Sequence, residues 1–158
     1  MTRRAIKYLL LISALITLWS GVALGKAWRG IEPLHSTRSD VEKLLGPSTY
    51  GGYSYELENE KVYITYQNPE SECGKTWGFY NVPLNTVLGI IVVPNEKKPI
   101  ADFGLDRTYV KGRTCMPDSV NYFNEDEGVN YSVTRGLVTQ ITYGPGLKDR
   151  RRLACPRE

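Results

Sequence analysis

An α+β domain, with one short N-terminal helix packed on an antiparallel β-sheet of about six strands, is predicted by three observations. A threonine-capped stretch with apolar residues at helical spacing occurs once, near residue 37. Six runs rich in aromatic and β-branched residues follow it. Turn-forming clusters, not further helical patterns, separate most of those runs, so neighbouring strands are expected to run antiparallel.

Residues 28–47 read as an opening loop and the helix. Thr37 is the N-cap, and Asp40 stands three residues on, the capping-box spacing with Asp in place of Glu. Val41, Leu44 and Leu45 form the expected apolar stripe, and Gly46-Pro47 stops the helix. Residues 53–57 and 61–67 then form a hairpin around Glu58-Asn59-Glu60, with Val62, Ile64 and Tyr66 on one face. Residues 68–83 are a long loop carrying Cys73 and Trp77, and loops of that length in a small domain often carry function. Residues 86–93 (TVLGIIVV) are apolar on both alternations, which predicts a central strand covered on both faces or nearly so. After a polar turn at 94–99, residues 120–124 and 129–133 flank a turn, Glu125-Asp126-Glu127-Gly128, in which Gly128 takes the position favouring positive φ. Val129, Tyr131 and Val133 alternate with Asn130, Ser132 and Thr134, the pattern of a strand with one wet face. The last strand, 137–143, is expected to put Leu137, Thr139, Ile141 and Tyr143 on one side. Residues 148–158 are a basic polar tail assigned to the surface.

Ahead of this domain, Arg3, Arg4 and Lys7 precede eighteen uncharged residues, 8–25, that end at Lys26. That is the pattern of an export signal, and Ala23-Leu24-Gly25 supplies small residues at the first and third positions before a cut that would leave Lys26 as the new terminus. The alternative is an uncleaved anchor over residues 8–25, with the domain still facing outward because the basic residues stay inside. Residues 26–147 form the single α+β domain in either case. Localisation is therefore expected to be extracytoplasmic, periplasmic or secreted. The three basic residues leave with the signal, so the remaining chain carries 17 basic against 17 acidic residues. A balanced surface argues against nucleic acid as partner, since phosphate binding needs concentrated positive charge. Membrane contact is expected only through the N-terminal segment if it is uncleaved.

The three cysteines, Cys73, Cys115 and Cys155, show no C-x-x-C spacing, and in an oxidising compartment they predict one disulfide and one spare thiol. The favoured pair is Cys73 with Cys155, which would tie the tail to the body; a Cys115 linkage is the alternative.

WRGIEPLHSTRSDVEKLLGP (residues 28–47), the Tyr-rich hairpin, TVLGIIVVP and EGVNYSV (residues 127–133) together resemble a family of secreted bacterial proteins of unassigned function, over most of the chain beyond residue 25. More distantly, residues 37–47 and the strands after them resemble the small lipoprotein of the outer-membrane barrel-assembly machinery. They are also similar to the β-lactamase inhibitor protein, in which a helix-plus-sheet unit occurs twice, and this resemblance implies two degenerate repeats as a variant of the architecture. A lipoprotein needs a cysteine immediately after its signal, whereas the first here is Cys73, and no functional residue carries over.

His35 is the single histidine, and its place just before the helix cap suits a structural role better than a triad. No metal site, catalytic residue or cofactor motif is assigned. Asn124, Asp126 and Gly128 fit a solvated turn better than a calcium loop, which would need a ligand at its twelfth position. Ten tyrosines beyond residue 25, with Trp28 and Trp77, are the positive signal, because exposed aromatics on a sheet make low-entropy contact surfaces for proteins or sugars. Tyr53, Tyr55, Tyr63 and Trp77 are the candidate binding patch. The expectation is an exported envelope protein acting as a protein-interaction or scaffolding module, with an envelope protein as partner. The alternatives are a small carboxylate-dependent hydrolase or a carbohydrate-binding module acting on an envelope polymer.

Overall fold

The computed structural model describes residues 25–75 and 79–156, so the segment up to residue 24 and Trp77 lie outside the described residues. Its centre is one seven-stranded antiparallel sheet in the order β1-β2-β3-β7-β6-β5-β4. The strands are β1 (Ser54–Glu56), β2 (Glu60–Tyr66), β3 (Val87–Pro94), β4 (Val110–Arg113), β5 (Ser119–Asn124), β6 (Val129–Thr134) and β7 (Leu137–Tyr143). The expected helix is α1 (Arg38–Leu45), and a second short helix, α2 (Leu147–Arg152), follows β7. The fold is mostly β, with one strand more than the sequence predicts.

α1 begins where the capping box places it. Asp40 N donates to Thr37 Oγ1 at 3.3 Å and Thr37 N donates back to Asp40 Oδ2 at 2.9 Å. These bonds hold the Asp40 carboxyl below the usual carboxylate range. Val41 is fully buried and Leu45 packs against the same core, but Leu44 is 56% exposed. The apolar stripe is thus narrower than expected: a helix of two turns meets the sheet along one line, and Leu44 falls outside it.

Val62, Ile64 and Tyr66 of β2 share the α1 side with Ile90 and Val92 of β3, as their alternation predicts, and Trp28, Ile31 and Tyr55 complete that cluster. The β3 strand is central, yet Ile91 and Val93 on its other face are only half-buried, so coverage is one-sided. After β3 the chain crosses to the far edge of the sheet. That crossover carries a 3-10 helix, Ile100–Phe103, on the core side. There Ile100, Phe103, Leu105 and Tyr109 cover Val129, Tyr131, Val133 and Val138. Phe103 and Tyr109 meet Tyr131 edge-on, with ring centroids 5.3 and 5.8 Å away.

The face assignment expected for the last strand fails at one point. Val133 pairs with Val138 while Ser132 pairs with Gln140, so Thr139 is skipped by a bulge. Val138 is therefore fully buried with Ile141 and Tyr143 behind it, and Leu137 is 37% exposed. The β4 strand, Val-Lys-Gly-Arg, escapes the sequence reading because it has one β-former in four residues; it is a strand because β5 offers it an open edge.

Burial raises the hydroxyl pKa of four tyrosines, Tyr66, Tyr80, Tyr109 and Tyr143, and pushes Tyr143 up to about 12. An unfolded tyrosine releases its proton near 10, so between that pH and the folded values the unfolded state binds fewer protons and stability falls as pH rises. The expected result is a melting temperature that is flat to about pH 9.5 and declines from pH 10 to 12. Tyr143→Phe should flatten part of that decline in a thermal-melt pH series, and an unchanged slope would contradict the assignment.

Candidate functional site

Alternation around the buried positions aligns Ser54, Tyr63, Ile91, Thr142, Asn130, Phe123 and Val110 as successive cross-strand partners over all seven strands. Each is flanked along its strand by residues facing the core, and none is buried. A second line, Gln140, Ser132, Asn121 and Gly112, runs beside it on β7, β6, β5 and β4. This is the sheet face opposite α1 and the 3-10 helix.

The chemistry of the face is neutral. Hydroxyls and amides dominate, and they bond one another: Gln140 Nε2 donates to Thr142 Oγ1 at 3.0 Å, and the Ser119 and Thr134 hydroxyls lie 2.9 Å apart. Lys61, whose ammonium is bonded to Glu56 Oε1 at 3.1 Å, marks the β1 end. Lys111 of β4 sits on the opposite side, with its ammonium 5.9 Å from the Tyr122 ring centroid. Among the described residues, two aromatics stand on the face. Tyr63 is 40% exposed, and the Phe123 ring lies over Gly112, where a Cβ would come within 3.3 Å of its Cε1. From β2 to β5 is four strand spacings, or roughly 19 Å.

Phe123, Asn130 and Thr142 also line a cleft of about 350 Å³ at one end of this face, walled by Tyr80, Glu125, Gly144, Pro145 and Arg150. One part of that wall, Arg150, comes from the basic tail, whose first residues form α2. Asp149 of α2 is buried, accepts from Arg152 Nη2 at 3.0 Å, and lies 3.2 Å from His35 Nε2. His35 Nε2 faces Asp149 Oδ2, a buried oxygen with no hydrogen-bond partner among the described residues. His35 thus brings the turn before α1 against a carboxylate 114 positions away in sequence.

Past α2 the chain bridges the long β2–β3 loop. Asn81 N donates to Leu153 O at 2.7 Å and Cys155 N to Phe79 O at 3.0 Å. Cys73 and Cys155 are disulfide-bonded, with Cα atoms 5.4 Å apart, and Cys115 is exposed and free. The favoured pairing is the one present, and a disulfide is compatible with an extracytoplasmic location. Arg150 and Tyr80 therefore reach the cleft from a wall pinned at several points. Arg150 Nη2 is 3.7 Å from Glu125 Oε2, and burial raises the Tyr80 hydroxyl pKa while the Arg150 charge opposes the rise.

The aromatic patch expected from the sequence is divided. Tyr53 is 43% exposed and packs edge-on against Tyr50 at 6.0 Å, itself 71% exposed. Tyr63 stands on the open face. Tyr55 is 1% exposed and belongs to the core, its hydroxyl 3.5 Å from that of Tyr66, because its strand position faces α1. Sequence reading did not single out Phe123, Thr142, Gln140 or Tyr80, and it placed Arg150 only within the basic surface tail. The wet alternation of Asn130 and Ser132 was a usable signal for the face; nothing local marks Tyr80 and Arg150, which meet the cleft only through the disulfide-tied wall.

The turn between β5 and β6 is a structural device. Asn124 is buried, its amide donating to Thr108 Oγ1 at 2.8 Å and its Oδ1 accepting from Glu127 N at 3.1 Å. Gly128 has φ 70°, and a Cβ there would strike the Gly144 carbonyl, so no other residue fits. Among the described residues, no group of three or more His, Cys, Asp or Glu is gathered for a metal, and no helix is long and apolar enough to cross a membrane. No protein-family model, curated protein or solved structure matches the chain.

Proposed function

We propose that the protein is an exported binding module that holds a neutral glycan across its open sheet face, with one end of the ligand in the cleft beside Phe123, Asn130 and Thr142. The observation that carries this reading is the chemistry of the cross-strand rows. A glycan needs flat apolar surface for its ring faces and amide or hydroxyl partners for its hydroxyls, and it brings no charge to neutralise. Tyr63 and Phe123 supply the first; Asn121, Asn130, Ser132, Gln140 and Thr142 supply the second. A carboxylate-dependent hydrolase is less well supported, because among the described residues Glu125 is the one acid lining the cleft and it faces Arg150, whereas glycoside hydrolysis takes a pair of acids.

The test is a titration with neutral hexose and N-acetylhexosamine oligosaccharides, read by calorimetry and by amide chemical shifts. Binding should shift the side-chain amides of Asn130 and Gln140, and Phe123→Ala or Tyr63→Ala should each weaken it on the order of tenfold. Absence of binding at millimolar ligand across the series would overturn the proposal. A protein partner is the second reading, and the exposed Tyr50 and Tyr53 pair at the β1 edge favours it. Loss of partner binding in Tyr50→Ala, with Phe123→Ala unaffected, would select it over the glycan.

A further inference from the structure

The N-terminal end of the described chain packs glycine against glycine. Gly25 is buried, and an ideal Cβ on it would come to 2.8 Å from Gly146 N, 3.4 Å from Gly144 O and 3.5 Å from Glu127 O. From the other side, a Cβ on Gly146 would stand 3.1 Å from Gly25 Cα and 3.3 Å from Gly25 N. The next residue is tied to the same place. Lys26 N donates to Glu127 O at 2.8 Å, and its ammonium pairs with Glu127 Oε2 at 3.2 Å. Glu127 Oε2 also accepts from the Tyr109 hydroxyl at 3.1 Å, so both sides of the 25–26 peptide bond lie against the β5–β6 turn and the end of β7.

We propose that the mature protein retains Gly25. Signal processing, expected from Ala23-Leu24-Gly25 to fall before Lys26, falls instead on the N-terminal side of Gly25, where Gly21-Val22-Ala23 offers small residues at the same two positions ahead of Leu24. Glycine at 25 then serves packing: its missing side chain is what allows the Gly144-Pro145-Gly146 segment to close over the chain. A cut after Gly25 would remove one partner of that contact and turn the Lys26 amide, a neutral donor to Glu127 O, into an ammonium group.

Gly25→Ala separates the two roles of the residue. Alanine satisfies a processing enzyme immediately before a cut as well as glycine does, but its Cβ would press on Gly146 N. Wild type and variant are exported and purified, and intact mass, terminal sequence and melting temperature are measured. The expected results are a wild-type terminus at Leu24, a variant heavier by one methylene, and a melting temperature lower by roughly 5 °C in the variant, whereas an uncleaved wild-type chain would contradict the proposed cut. Should the variant fail to fold, the wild-type terminus still decides. A wild-type chain beginning at Lys26, with both proteins identical in mass and melt, would overturn the proposal.

Discussion

Replacing Cys73 and Cys155 together with serine is expected to lower the unfolding free energy by roughly 4 kcal/mol, because the bridge closes a loop spanning 82 positions and removes that much chain entropy from the unfolded state. For a domain of this size the melting temperature should fall by roughly 12–16 °C. The double variant is the right comparison, since a single substitution would leave a thiol able to pair with the exposed Cys115. The bridge also holds the cleft wall, where Tyr80 pairs with Ala154 in an isolated bridge and Arg150 enters from α2. Loss of affinity for a cleft ligand should therefore exceed loss of affinity for one held by Tyr63 alone. Urea unfolding of the oxidised protein and the double variant measures the stability term, and a difference below about 1 kcal/mol would mean that the tail contributes little to the fold.

Asp149→Asn is expected to cost about 1–3 kcal/mol, the range for leaving a buried polar group poorly satisfied, since the carboxylate is buried while its partners keep contact with water. Asparagine matches the shape, yet it loses the charge that Arg152 and His35 face and turns one acceptor into a donor against a donor. His35→Gln should cost less, because His35 keeps 28% of its side-chain surface in water and Arg152 remains bonded to the carboxylate. Chemical denaturation of the two variants orders them, and an Asp149→Asn loss no larger than that of His35→Gln would refute a central role for the carboxylate. The same pair links the opening turn before α1 to the tail after β7, so Asp149→Asn should also broaden amide signals of residues lining the cleft.

The helix and six of the strands were legible because their signals are local. Thr37 and Asp40 cap within four residues, and the alternations of 61–67 and 129–133 state which side chains share a face wherever the strand lies. The β4 strand was not legible, since Val110–Arg113 becomes a strand through the edge of β5. α2 was hidden for the opposite reason to α1: it is anchored by a buried aspartate, whereas sequence patterns find helices by buried apolar residues. At Thr139 a single bulged residue reversed the parity that Leu137 and Thr139 were expected to share with Ile141. Tyr55 was a surface candidate by type and a core residue by position, and only its pairing with Val62 distinguishes the two.

Composition and spacing therefore favoured, without deciding, the cysteine pair that closes the tail, and established the capped helix, the antiparallel hairpins and the wet side of β6, all of which depend on contacts a few residues long or on a short list of partners. Long-range packing chose the rest. The crossover after β3 passes over the Val129 and Tyr131 side, which leaves the Tyr63-to-Phe123 row open, and the His35–Asp149 pair folds a basic tail into the wall of a cleft. Neither outcome has a local signature, because the side on which a crossover packs is set by the free energy of the whole core and not by the residues that the crossover leaves uncovered.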